Sequence, residues 1–168
     1  MTTIRRYVLP GLLMLALLAA LHTMTLADEL PDNLPVRPLS VVTQDGTIHR
    51  FTVRLADTHE SRRRGLMFVT RMAPHEGMLF DFGNPRPVSM WMRNTPLSLD
   101  MLFVEADGRI LRIEQSTKPL SERLIHSGGN VRWVLELLAG TSARLGIAAG
   151  DRLELAEAGG DAGPADGA

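Results

Sequence analysis

Cysteine is absent from all 168 residues, which excludes a disulfide scaffold, a thiolate zinc site, a cysteine nucleophile and a lipid-modified cysteine anchor. Aromatic residues are scarce at 5%, and the single tyrosine, Tyr7, lies in the N-terminal segment. Stacking on nucleic-acid bases would therefore fall to Trp and Phe side chains that the pattern assigns to a core. Neither sign of charge dominates: 18 Lys and Arg stand against 19 Asp and Glu, a net charge of -1. No nucleic-acid partner is expected from that balance. The five histidines (His22, His49, His59, His75 and His126) show no ligand spacing, so no metal is expected. Phosphate loops and dinucleotide fingerprints are missing, so no cofactor is expected.

What is present divides the chain into three parts. Arg5 and Arg6 precede an apolar stretch, Leu12 to Leu21, and Thr25-Leu26-Ala27 supplies small residues at a cleavage site. This is the layout of a secretory signal over residues 1–27, and the apolar core is about half of the roughly 20 residues that span a bilayer. A periplasmic or secreted location is expected. The alternative is an uncleaved N-terminal anchor, the one membrane contact foreseen. The arginine pair leaves open the general or the twin-arginine export route. The leader takes two arginines and no acid with it, so the mature chain is mildly acidic, and a monomer is expected. Residues 28–38 hold three prolines and no periodicity, which predicts a tether. Residues 156–168 are Gly, Ala, Asp and Pro with nothing to bury, which predicts a disordered tail.

Between these lies one domain, residues 39–155, with mostly period-two patterning. Strands are predicted at Leu39–Thr43, Ile48–Leu55, Gly77–Phe82, Val88–Met92, Leu99–Glu105, Arg109–Gln115, Arg132–Leu138 and Arg152–Leu155. Asn84-Pro85-Arg86-Pro87 and Ser127-Gly128-Gly129 read as turns, and Asp107-Gly108 as a two-residue hairpin turn closed by Ala106 and Arg109. A helix capped by Asp57, with Glu60 completing a capping box, runs to Leu66, and a second short helix ends at Gly146. The expected fold is mainly β (α+β): a curled, largely antiparallel sheet forming a half-open barrel with two short helices.

Several strings occur in one order: Arg64-Gly65-Leu66-Met67-Phe68, Glu76-Gly77-Met78-Leu79-Phe80, Trp91-Met92-Arg93-Asn94-Thr95 and Leu99-Asp100-Met101-Leu102-Phe103. Asp107-Gly108-Arg109-Ile110, Ser127-Gly128-Gly129, Val134-Leu135-Glu136-Leu137 and Gly150-Asp151 follow. Together they resemble the DUF192 family, also called UPF0127, over the whole of residues 39–155. The resemblance implies a β-rich domain, often exported in bacteria, and no assigned activity. In one place the chain departs from the family's habit: Pro96 comes early in the Pro96-Leu97-Ser98 link.

The densest polar cluster is Trp91, Arg93, Asn94, Thr95 and Asp100. A carboxylate at Asp100, on a strand with apolar neighbours, has to be paired or hydrogen-bonded, and Arg64, Arg93 or the Asn94 amide could do it. The cluster fits a pocket for a small polar ligand such as a sugar or short peptide, or equally a turn tied together by its own side chains. Arg64-Gly65 reads as a helix cap or as an anion contact. Strand alternation puts Glu136 on a solvated face, or else it pairs with Asp100 for acid–base work. The leading reading is non-catalytic binding of a small polar ligand or envelope partner at the Trp91–Asp100 turn, with Arg64 and Glu136 as further candidate contacts. A carboxylate-dependent hydrolase acting on envelope glycans and a purely structural or assembly role are the alternatives. The hydrolase needs Asp100 and Glu136 to face one cleft.

Overall fold

The alternating apolar runs form seven strands of one sheet in a computed structural model that describes residues 30–156. The leader at 1–27 and the tail from 157 onwards lie outside the described residues. In chain order the elements are β1 (Val36–Val42), β2 (Ile48–Ala56), α1 (His59–Arg64), β3 (Glu76–Met90), β4 (Leu99–Val104), β5 (Ile110–Glu114), β6 (Ile125–Leu138), α2 (Thr141–Leu145) and β7 (Arg152–Leu155). The strands lie in the order β5-β4-β6-β3-β2-β1-β7. Every pairing is antiparallel except β2 with β3. A parallel pair needs a crossover, and α1 with its following loop supplies it. The two outer strands meet at one corner, where Arg109 bridges Arg152 and Leu153 N–H donates to the Gly108 carbonyl at 2.7 Å. The sheet is thus curled into the half-barrel that the patterning predicts, with two short helices.

Each face of the sheet buries its own apolar layer, as the period of two requires. Val41, Val53, Leu79, Leu102, Leu135 and Leu137 fill the concave side. Met78, Phe80, Met101, Phe103 and Val134 form the other layer, covered by Leu66, Val69 and Met72 from the segment after α1. β4 is buried at all six positions, as expected of a central strand.

Four local expectations are corrected. The two strands foreseen around Asn84-Pro85-Arg86-Pro87 are one, β3, which continues to Met90 through a bulge between Asp81 and Arg86. Past Phe80, β3 has β6 on one side and no β2 partner on the other, so Pro85 and Pro87 interrupt no central ladder. Ser127-Gly128-Gly129 is likewise part of β6, with the Ser127 hydroxyl accepting from Val88 N–H at 3.0 Å and donating to the Gly129 carbonyl at 2.6 Å. The α1 cap is Thr58 with Ser61, not Asp57 with Glu60: Ser61 N–H donates to Thr58 Oγ1 and Thr58 N–H to Ser61 Oγ, both at 3.0 Å. The Asp107-Gly108 turn closes on Glu105 and Arg109, giving a three-residue loop with Gly108 at φ 89°.

The segment foreseen as a tether also differs. β1 starts at Val36, and Leu30 is buried against the layer beneath Met72, with Leu34 packed beside it. Residues 30–38 therefore belong to the folded unit. At the other end Ala156 N–H still reaches the Pro38 carbonyl at 3.4 Å.

Candidate functional site

Asp100 is buried, and none of the partners expected for it is there. Its carboxylate accepts from Ser116 N–H at 2.9 Å, Gly140 N–H at 3.2 Å and Ser142 N–H at 2.9 Å. Gly140, the N-cap of α2, offers no side chain, so Asp100 caps the helix from β4. The carboxylate is satisfied by backbone alone, and no arginine or amide side chain joins it. Its role is architectural.

Glu136 lies in β6 opposite Met78 of β3 and Met101 of β4, whereas Asp100 lies opposite Leu137. The two carboxylates therefore project from opposite faces of the sheet, which removes the Asp100–Glu136 hydrolase. Glu136 is also not on a solvated face: it is 3% exposed. β6 carries a buried apolar layer on each face, so alternation does not lead to water there.

Among the described residues no hydrogen-bond donor or cation engages the Glu136 carboxyl. Burial pushes its pKa up from the ordinary range to about 8, with no opposing charge to bring it down. Burial without a counter-charge favours its neutral, donor-bearing form. Glu136 forms the floor of a cleft of about 300 Å³ whose apolar walls include Leu66, Phe80 and Met90 and whose rim carries Arg63, Arg64, Arg86 and Arg93. Such a volume lies at the lower end of what small-molecule sites occupy, roughly 300–1,000 Å³.

The rim is built by the last turn of α1, by Arg86 of β3 and by the turn that follows β3. The last turn of α1 brings Arg62, Arg63 and Arg64, where cations complement the helix C-terminus. Arg62 is committed to structure, donating to the Asp81 carbonyl at 2.7 Å, and it shares the Phe82 ring with Arg86, at 5.5 and 5.3 Å. The turn after β3 adds Trp91, with the Arg93 guanidinium 5.7 Å over its ring. Arg63, Arg64 and Arg86 have no carboxylate partner among the described residues. Arg93 has one loose, solvent-exposed pairing, with Glu122 at 3.8 Å, which is worth little.

Of the residues singled out from the sequence, Arg64, Trp91, Arg93, Thr95 and Glu136 come together at this cleft. Asn94 lies at its outer extension, shared with Arg63, Arg64 and Trp91. The Asn94 carbonyl accepts from Phe68 N–H at 2.8 Å, and the Thr95 carbonyl from Leu120 N–H at 3.0 Å. Asn94, Phe68 and Leu120 all have positive φ (54°, 67° and 59°), so the turn is held by strained neighbours. Thr95 is buried and its hydroxyl donates to the Arg93 carbonyl at 3.2 Å. Only Asp100 stands apart.

Two features were missed. Arg86 sits in a Pro-flanked run that reads as a turn, and the Gly-rich stretch that pairs with it across β6 was the available signal. Ser89 and His126 form a cross-strand pair, Oγ to Nδ1 at 2.8 Å. Both are solvent-exposed, and among the described residues no carboxylate orients the imidazole from its far side, as a nucleophile–base pair requires.

The chain is a β-rich half-barrel whose cleft has arginines at its rim and Glu136 at its floor. The family model DUF192, described as an uncharacterized ACR, matches residues 40–155, and the chain belongs to that family. It is similar to a crystal structure from Sinorhizobium meliloti 1021 presented as a candidate transcription regulator, at 48% identity and a TM-score of 0.73, covering 74% of this chain and 97% of that one. A protein of unknown function from Novosphingobium aromaticivorans DSM 12444 is 36% identical with a TM-score of 0.71, covering 80% of this chain and 96% of that one. Among curated proteins none matches the chain.

Proposed function

We propose that this is an exported, non-catalytic binding domain that holds a small polar ligand carrying negative charge in the cleft between α1 and the Trp91–Thr95 turn. The observation that carries the reading is the buried Glu136 carboxyl, left without a partner at the floor of a cavity rimmed by guanidinium groups. A fold that satisfies Asp100 with three backbone N–H groups, yet leaves Glu136 open to a cavity, keeps that group for something that enters. The arginines supply the complementary charge for an anion, and Trp91 and Phe80 supply apolar wall.

The test is an NMR titration of the folded domain with sodium sulfate and with sodium pentanoate at constant ionic strength. Amide shifts confined to residues 64–68 and 91–95, and reduced in Arg64→Gln/Arg93→Gln, support the reading. Shifts that are absent, or spread over the whole surface and indifferent to the double substitution, defeat it.

A further inference from the structure

The cleft has two chemically distinct ends. At the mouth are guanidinium groups with their charges largely uncompensated. At the floor is a single carboxyl, and none of those guanidinium groups engages it. Glu136 is 3% exposed, whereas Arg63, Arg64, Arg86 and Arg93 are exposed, so the carboxyl and the guanidinium groups sit at different depths. No ion pair joins a guanidinium group to that carboxyl among the described residues, and Leu66, Phe80 and Met90 line the same cleft. An occupant satisfying both ends must be longer than an inorganic anion.

The inner end is also constrained in sign. An ammonium group entering past four or more arginines meets repulsion and loses water in an apolar passage. A neutral acceptor loses less water and meets a carboxyl whose burial without a counter-charge favours the protonated, donating form. Resting on the binding reading above, we infer that the occupant is a small organic anion whose charged end meets the arginine rim and whose other end, several atoms away, is a neutral hydrogen-bond acceptor – a carbonyl, ether or hydroxyl oxygen – that receives a bond from Glu136. Keto acids and hydroxy acids with the oxygen remote from the carboxylate are the class.

The other titratable groups lining the cleft are His59, Arg62, Arg63, Arg64, Arg86 and Arg93.

Three probes of similar length separate the possibilities: 4-oxopentanoate, with anion and acceptor; pentanoate, with the anion alone; and 5-aminopentanoate, with anion and ammonium. Affinities are measured by NMR titration at about pH 7.2 and 9.5 on the wild type, Glu136→Gln and Glu136→Leu. In the wild type at the lower pH, 4-oxopentanoate is expected to bind about five- to tenfold more tightly than pentanoate, the value of one hydrogen bond. That preference disappears at the higher pH, where Glu136 becomes an acceptor itself. It persists at both pH values in Glu136→Gln, whose amide still donates, and is lost in Glu136→Leu.

Equal binding of 4-oxopentanoate and pentanoate at pH 7.2, or tightest binding of 5-aminopentanoate, overturns the ligand class while leaving anion binding in the cleft intact. Failure of all three probes to shift the cleft amides overturns the binding reading itself.

Discussion

Asp100 of β4 and Glu136 of β6 are one step out of register on neighbouring strands, and this step puts them on opposite faces of one sheet. Both are buried acids, and the sheet treats them in opposite ways. Asp100 is surrounded by three backbone donors. Glu136 has a cavity. The contrast separates an acid that builds the fold from one available to a ligand, and the predictions below exploit it.

Glu136 links stability to pH. Its folded-state pKa is raised to about 8, so from the unfolded-state value near 4.5 upward the unfolded chain releases a proton that the folded chain keeps. Stability is full below the lower value, falls as pH rises between the two, and levels off above about 8. Glu136→Gln removes this slope. Urea unfolding at pH 5 and pH 8 is expected to show the wild type losing on the order of a few kcal/mol relative to Glu136→Gln over that interval. A parallel pH profile for the two proteins would refute it.

Asp100→Ala strips three N–H groups of their acceptor and uncaps α2. With about 1 kcal/mol or more for each hydrogen bond to a charged group, the loss is expected at about 3–4 kcal/mol. Ligand-induced amide shifts at the cleft remain in whatever fraction is folded, because Asp100 does not line it. Chemical denaturation measures the first effect and NMR titration the second.

Leu120 is 62% exposed and has φ 59°, a conformation that suits asparagine better than leucine. Leu120→Asn is expected to raise stability by about 1 kcal/mol, since strain of that order is relieved and little burial is lost. A lowered Tm would show that Leu120 contributes packing that its exposure does not reveal.

Gly77 lies where β3 crosses β6, and a Cβ there would come within 2.6 Å of the Glu136 carbonyl oxygen and 2.9 Å of Leu137 Cδ2. The first contact is backbone, which cannot turn aside. Gly77→Ala is expected to cost about 3 kcal/mol and to displace β6, and with it the floor of the cleft. Denaturation midpoints and the Glu136 side-chain shift report the two consequences together.

The strand pattern was legible because alternation is a local property: Phe51, Val53 and Leu55 announce β2 without reference to any neighbour. Trp91, Arg93, Asn94 and Thr95 were legible as one turn because they are neighbours in sequence, whereas Arg64 comes from the end of α1. Glu136 was misplaced because alternation tells which side of a strand a residue takes, not what covers that side. The lid over Glu136 comes from the segment after α1, some seventy positions earlier. Asp100 was rightly expected to need partners, but its donors are backbone N–H groups of Ser116, Gly140 and Ser142, which have no signature in residue type. The long β3–β6 ribbon was hidden by Pro85, Pro87, Gly128 and Gly129, each a turn former that the bulged register accommodates.

β7 fastens both β1 and the corner at Arg109, although it is only four residues long and comes last. A ribosome-bound chain without Arg152–Leu155 has nothing to seal the seam, and its first and fifth strands keep raw edges. Four residues thus decide whether β1 and the Arg109 corner present open strand edges, the part of a sheet that most readily pairs with another chain.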